Sequence, residues 1–136
     1  MWLNVAAQAA VDASGALTVY QNVTALKHGS GGSYAQSATG AVVQAGDSIQ
    51  TDAKGRASIT LPDGTITRLA SATTITLDSA HLARSGSVHD VRFLQQVGRT
   101  FTNVQHLVSG ATFQVAGPSA TATVRGTKFE VYITQD

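Results

Sequence analysis

The chain has 136 residues, of which 12% are charged, and its formal net charge at neutral pH is +1. It has no cysteine, which excludes disulfide scaffolds, cysteine-bound zinc and thiol catalysis. The nearly balanced charge gives no electrostatic reason to expect a nucleic-acid partner. Only two prolines occur and β-branched residues are plentiful, so the composition favours a compact, β-rich domain over a disordered chain.

Residues 1–16 form an N-terminal segment that precedes the main β pattern. Its apolar residues recur at the spacing of one face of a short helix: Trp2, Val5, Ala6, Ala9 and Ala10. No basic residue precedes these apolar residues, so the segment is not a complete secretory signal. No stretch of the chain is apolar over the roughly 18 residues that a transmembrane helix requires. We therefore expect membrane attachment only through an anchor that belongs to a larger parent protein.

Residues 17–136 are predicted to form a single β domain, because apolar residues recur mostly with a period of two from Leu17 onward. A Gly/Ser-rich stretch at residues 27–40 interrupts this pattern, and we predict an exposed loop there. Alternation is clearest at residues 57–61, stops at the turn signal Pro62-Asp63-Gly64 and then resumes. This arrangement predicts a β-hairpin.

Further strands are predicted wherever apolar residues alternate downstream, at residues 73–77, 91–93, 113–115, 120–124 and 129–133. Residues 78–87 are rich in turn formers, and residues 80–83 have the composition of one helical turn. We therefore expect an all-β fold of about ten short strands, in an antiparallel β-sandwich of the jelly-roll kind. A β-solenoid is the alternative.

Three glycines each lie three residues before a phenylalanine, and the pairs are Gly98 with Phe101, Gly110 with Phe113, and Gly126 with Phe129. The spacings between the pairs differ, so they do not define a strict repeat. We predict that each glycine marks the entry from a turn into a strand. Each phenylalanine is then expected to fill the core.

Catalytic chemistry has little support in the sequence. None of the four histidines has a partner at the i, i+4 spacing of a helical metal site: His28, His81, His89 and His106. Most aspartates fall at turns, where their side chains cap backbone amides. A hydrolase would need two acidic or histidine groups to converge in a cleft, and no spacing here favours such a pair. We therefore predict a protein that is not an enzyme, with no catalytic residue, metal or cofactor.

Arg125 is prominent because it lies in an otherwise uncharged stretch, directly before Gly126. In a structural interpretation its guanidinium group bonds to loop carbonyls or to a carboxylate, while the glycine permits a bulge. In a functional interpretation Arg125 and Thr127 present a docking or anion site. Tyr34, on the Gly/Ser-rich stretch, is the candidate for contact with a carbohydrate ligand.

Two blocks of the sequence, about sixty residues apart, resemble FecR-type domains. Glycines, charged or polar residues and one phenylalanine carry the resemblance: Gly46, Asp47, Gly55, Arg56, Asp63, Gly64, Arg125, Gly126, Thr127 and Phe129. The blocks occur in the order found in the family, and the resemblance covers roughly residues 40–133. The quoted residues are expected to be mainly determinants of the fold.

The resemblance implies an extracytoplasmic, non-enzymatic binding or signalling module of a bacterial envelope protein. The namesake of the family belongs to a relay that senses iron siderophores and passes a signal from an outer-membrane receptor to a cytoplasmic sigma factor. The expected partner is another envelope protein or another part of a larger parent chain. A carbohydrate- or cell-wall-binding module of a secreted protein is the alternative function.

Overall fold

The computed structural model describes residues 11–21, 24–62, 64–82, 88–104, 107–123 and 128–133. These residues form thirteen β-strands, and no helix occurs among them. The strands are β1 Val11–Asp12, β2 Gly15–Gln21, β3 Thr24–Lys27, β4 Ala35–Ser37, β5 Val42–Val43, β6 Ser48–Thr51, β7 Arg56–Thr60, β8 Ile66–Leu69, β9 Thr74–Leu82, β10 Val88–Asn103, β11 Leu107–Ala116, β12 Thr121–Thr123 and β13 Lys128–Ile133. The all-β prediction is confirmed, although the strands are more numerous and several are longer than expected.

All thirteen strands belong to one continuous sheet, with the central order β4-β3-β6-β9-β10-β8-β7-β2-β5. Eleven of the twelve strand pairings in the described residues are antiparallel, and only β10 with β11 is parallel. A β-solenoid stacks parallel strands from successive coils, so this pairing favours the antiparallel architecture over the solenoid alternative.

Strand β10 divides the sheet into two halves. Residues 88–97 pair with β9 and β11 in half I, which also contains β1, β3, β4, β6 and β12. Residues 98–103 pair with β8 and β13 in half II, which also contains β2, β5 and β7. The sheet bends at β10, so that the inner surfaces of both halves enclose a single core.

The core contains apolar side chains from both halves. Phe93 and Phe113 are its two largest fully buried side chains, and their ring centroids lie 5.9 Å apart at an angle of 42°. Half II supplies Leu17 and Ile59, each 1% exposed. Complete burial of an apolar side chain of this size contributes about 1.5–3 kcal/mol, so these contacts are the main force that holds the halves together.

The predicted hairpin is confirmed. Strands β7 and β8 pair antiparallel, with Ile59 opposite Thr67. Gly64 has φ of 93° and donates its N–H to the carbonyl of Leu61. Asp63, the middle residue of the turn signal, lies outside the described residues.

Two local predictions differ from the structure. The helical turn that the composition of residues 80–83 suggested does not form at residues 80–82, which belong to β9 and pair with β10. Their strand conformation follows from pairing with a neighbour that the local sequence does not reveal. The Gly/Ser-rich stretch at residues 27–40 is mostly exposed, but it also contains β4, which pairs with β3.

Residues 1–10 of the N-terminal segment lie outside the described residues.

A buried polar network holds β10 where it passes between the two halves. The Gln95 side chain is 1% exposed and donates to the carbonyls of Gly98, at 2.9 Å, and Val131, at 3.2 Å. Its amide oxygen accepts a 2.8 Å bond from the hydroxyl of Thr100. Because a buried amide left without partners is costly, these bonds fix the path of the chain at this point.

Gly98 forms the bend itself. Its φ is 106°, in the region that favours glycine. An added Cβ would overlap Thr73, lying 2.5 Å from the Cα atom of that residue. The prediction that Gly98 marks a turn before a strand is therefore wrong, because this glycine lies inside the continuous strand β10.

The orientation of the side chains changes at this bend. Val91, Phe93 and Gln95 are buried before Gly98, whereas Thr100 and Thr102 are buried after it. Odd-numbered residues thus face the core in half I, and even-numbered residues face it in half II.

We predict that Gly98→Ala lowers the free energy of unfolding by about 2–5 kcal/mol, because it combines backbone strain with overlap against Thr73. Gly40→Ala is the matched control, since Gly40 has φ of 101° but no atom within 4 Å of an added Cβ. This control should cost about 1–2 kcal/mol from strain alone. Denaturant unfolding measures both changes, and equal losses would show that the contact with Thr73 is unimportant.

Candidate functional site

The outward surface of half II carries a concentration of positive charge and aromatic rings, which we call the basic face. It comprises the cations Arg56, Arg68, Arg99 and Lys128, the carboxylate Glu130, and the aromatic residues Tyr20, Phe101 and Tyr132. Among the described residues, it thus holds four of the nine lysines and arginines in the chain against one carboxylate. This excess of three positive charges contrasts with a net charge of +1 for the whole protein.

Strand alternation produces the basic face. On β8, Thr67 and Leu69 are buried, so Arg68 between them points outward. On β10, Thr100 and Thr102 are buried, so Phe101 points outward. The hydroxyls of Thr67 and Thr102 are hydrogen-bonded at 3.0 Å inside the protein, which fixes the relative register of these two strands.

Phe101 lies at the centre of the basic face. It is directly opposite Arg68 on β8 and directly opposite Glu130 on β13. The Cβ atoms of directly opposite residues on neighbouring antiparallel strands are about 4.5–5.5 Å apart. Arg99 and Lys128 occupy neighbouring outward positions. The side chain of Phe101 is 42% exposed, so a large apolar group is surrounded by cations and left partly open to solvent.

The cations of this face differ in whether they have partners. Arg99 contacts Glu130 at 3.0 Å and lies over the Tyr132 ring at 4.4 Å from its centroid. Arg56, Arg68 and Lys128 have no carboxylate within ion-pairing distance in the described part of the chain. Among the described residues, their positive charge is therefore not compensated by a carboxylate.

Two shallow depressions meet on the basic face. One has a volume of about 540 Å³ and is lined by Lys128 and Glu130 together with Arg68 and Phe101. The other, of about 490 Å³, is lined by the same Arg68 and Phe101 and by Tyr20. The arrangement suits a ligand that carries carboxylate or other anionic groups next to an apolar group.

The first block of predicted motif residues has structural roles. Asp47 is 4% exposed and accepts hydrogen bonds from the backbone N–H groups of Gly29, at 3.1 Å, and Gln44, at 2.9 Å. Its carboxylate also contacts Nδ1 of His28 at 2.9 Å. Gly46, with φ of 95°, forms the turn that places this carboxylate.

The remaining motif residues are dispersed. Gly55 is buried, and Arg56 is exposed on the basic face. Phe129 belongs to β13 and is opposite Thr102. The candidate residues Arg125 and Thr127, with Gly126, lie outside the described residues, so both interpretations of Arg125 stay predictions.

Tyr34 lies apart from the basic face, next to the β3–β4 hairpin in half I. Its side chain is 37% exposed, and the amino group of Lys27 lies 5.1 Å from its ring centroid. The structure therefore does not bring Tyr34 together with the exposed aromatic residues of half II.

Sequence reasoning missed Arg68, Phe101 and Lys128 as site residues. The expectation that Phe101 fills the core is wrong, because the bend at Gly98 moves it to the outside of the sheet. The same expectation is confirmed for Phe113, which is fully buried. A sequence signal for an outward Phe101 was present in Thr100 and Thr102. These two threonines lie on either side of Phe101 and form the inward side of the strand.

Two features that would indicate other functions are absent from the described residues. Within that part of the chain, no cluster of three or more histidine or acidic side chains could hold a metal ion. No helix in the same ranges is long and apolar enough to cross a membrane.

The fold and the basic face define an all-β module with an exposed, chemically distinct surface. A family model described as FecR protein matches residues 47–136, which is more than half of the chain. The chain therefore belongs to the FecR family, and it is a signalling-regulator-like domain. No protein of curated function and no solved structure matches it.

We predict that Asp47→Ala lowers the free energy of unfolding by about 2–4 kcal/mol, because it removes a buried carboxylate and leaves two partly buried backbone N–H groups without their acceptor. Asp52→Ala is the control, since Asp52 is exposed and its carboxylate accepts one bond, from the N–H of Lys54. The control should cost less than about 1 kcal/mol. Urea unfolding compares the two, and similar losses would contradict the structural role of Asp47.

We also predict that Phe101→Ala costs only about 1 kcal/mol of stability, whereas Phe113→Ala costs about 3–5 kcal/mol. The difference follows from exposures of 42% and 0% for the two side chains. Thermal and denaturant unfolding of both variants test it. A large loss for Phe101→Ala would mean that this residue serves the core and not the surface.

Proposed function

We propose that this chain is a non-enzymatic, extracytoplasmic binding and signalling module of a bacterial envelope protein, and that the basic face is its partner-binding surface. The observation that carries the proposal is the half-exposed Phe101 among the unpaired cations Arg68 and Lys128. Membership of the FecR family supports the signalling context. The expected partner is another envelope protein or another part of the parent chain.

The two components of the face have separate roles in this proposal. Arg56, Arg68 and Lys128 attract an anionic partner and accelerate its approach. Phe101 and Tyr20 supply the apolar area that becomes buried on contact, and buried aromatic residues near the centre of an interface often dominate its affinity. The charge therefore selects the partner, and the aromatic residues retain it.

The face is better suited to binding than to hydrolysis. Among the described residues that line its two depressions there is one carboxylate, Glu130, which is already paired with Arg99 at 3.0 Å. Hydrolysis of a glycoside in the usual way requires two carboxyl groups on either side of the bond that is cleaved. The proposal therefore assigns no reaction to this surface.

In a signalling role, this surface is the part of the module that contacts the partner. In a relay of the kind that the family name implies, the module is the part that meets a partner outside the cytoplasm. We propose that occupation of the basic face is the event that such a relay reports to a sigma factor. The face occupies one side of half II, so a partner can cover it without entering the core.

A carbohydrate or cell-wall ligand is less well supported than a protein partner. Sugar binding commonly uses an open aromatic ring face, but Tyr132 carries Arg99 over its ring and Tyr34 carries Lys27. Both rings are therefore already engaged on one side by a cation. Unpaired cations next to Phe101 are more readily explained by an acidic polypeptide.

Titration with poly-L-glutamate tests the proposal, with amide NMR as the readout. We expect chemical-shift changes at Arg68, Phe101 and Lys128, and we expect binding to weaken as salt is added because exposed charges are screened. Arg68→Glu should weaken binding by about tenfold or more, since it replaces attraction by repulsion at the centre of the face.

Lys27→Glu is the matched control, because it changes the net charge by the same amount on half I and should leave binding nearly unchanged. Equal effects of Arg68→Glu and Lys27→Glu would show that only total charge matters, which contradicts a specific surface.

Neutral chito-oligosaccharides serve as the second ligand. Shifts on the basic face with these sugars, but none with poly-L-glutamate, would favour the carbohydrate alternative.

A further inference from the structure

Within the described part of the chain, strand β13 forms an edge of half II beside the basic face. Among the described residues it pairs with β10 alone, through six consecutive residue pairs from Lys128–Asn103 to Ile133–Gly98. The opposite side of β13 therefore presents backbone groups that a further strand can pair with. No proline lies between residues 128 and 133, so every residue of the strand retains its N–H group.

The inner side of this edge is apolar and not completely filled. Val131 is partly buried against the core, and Ile133 is in close contact with Gly117, where an added Cβ would lie 2.7 Å from Cδ1 of Ile133. A cleft of about 440 Å³ lies beside these side chains and is also lined by Pro118 and Ala122. Apolar side chains on the inner side of an added strand would find complementary surface there.

The outer side of the same edge is positively charged. Lys128 is exposed and has no carboxylate partner in the described ranges. Glu130 is neutralised by Arg99, which also lies over Tyr132. Carboxylates on the outer side of an added strand would therefore be attracted to Lys128 and meet little repulsion from Glu130.

From these features we propose that β13 binds an extended, acidic segment of the partner protein, which adds to half II as a further strand. This inference rests on the function proposed above and specifies how the partner is held. The segment alternates apolar side chains, directed toward Val131 and Ile133, with carboxylates directed toward Lys128. Backbone pairing supplies affinity, and the alternation sets the register.

A second copy of this chain is a poorer occupant of the edge. Pairing of two β13 strands would bring two basic faces together, each with four cations and one carboxylate in the described residues. Like charges oppose this association. Charge complementarity therefore favours a partner of opposite sign.

The test uses a synthetic peptide of alternating glutamate and valine, long enough to match the six residues of β13, and a version whose backbone amides are N-methylated. Methylation preserves the charges and side chains of the peptide but removes its ability to pair as a strand. Binding is followed by calorimetry, and amide hydrogen exchange of β13 is measured by NMR. A peptide with lysine in place of glutamate controls for charge.

We expect the unmethylated peptide to slow amide exchange in β13 by about tenfold or more, because paired amides are protected. The methylated peptide should bind about tenfold or more weakly, since backbone pairing is the main contact. The lysine peptide should not bind. Lys128→Glu should weaken binding of the acidic peptide, whereas Lys27→Glu should not.

The outcomes separate this inference from the proposed function. Equal binding of methylated and unmethylated peptides would overturn strand addition while leaving the basic face as an anion-binding surface. Failure of both peptides, together with failure of poly-L-glutamate, would overturn both. A concentration-dependent dimer in sedimentation, with β13 amides protected in the absence of peptide, would assign the edge to a second copy and would also overturn the inference.

Discussion

The fold depends on how β10 is held where it leaves one half of the sheet and enters the other. Sixteen residues form this strand, and it pairs with four others, β8, β9, β11 and β13. A fifth strand, β12, joins the sheet through β11. A straight strand of this length would produce a flat, open sheet and would not enclose a core. Gly98 provides the change of direction. The side-chain amide of Gln95 donates hydrogen bonds to the carbonyl of Gly98 on β10 and to the carbonyl of Val131 on β13. The polar bonds specify the bend, and burial of apolar surface in both halves stabilises it.

The same bend decides which residues are available for function. It exchanges the inward and outward positions of β10, so Phe93 fills the core while Phe101 lies outside. Had the alternation of residues 91–95 continued unchanged through the bend, Phe101 would point inward and the basic face would lack its central aromatic group. A structural feature of one strand therefore determines the chemistry of the whole outer surface of half II.

Much of the fold was predictable because local sequence carries the relevant information. The hairpin between β7 and β8 follows from alternation around a proline–glycine turn, and its pairing agrees with the prediction. The orientation of Phe101 was not predictable in the same way. It depends on the irregular pairing of β10 with β9 between Gln95 and Val97 and on the positive φ at Gly98, and alternation carries no information about either. The basic face was missed for a related reason, since its cations come from separate strands whose register only the folded sheet defines.

The low charge of the chain makes the distribution of its ions informative. On half I, charged groups in the described residues lie mostly next to partners, such as Arg92 with Asp78 at 3.4 Å and Asp47 with His28 at 2.9 Å. On half II, three of the four cations of the basic face have no such partner in the described ranges. Exposed ion pairs such as Arg92 with Asp78 contribute little to stability, so the fold does not require them. The buried carboxylate of Asp47 is the exception, because it accepts hydrogen bonds from the backbone. The side chains that hold the fold together point inward, whereas the unpaired cations point outward. Substitutions on the outer surface of half II can therefore alter which partner is bound without altering the core.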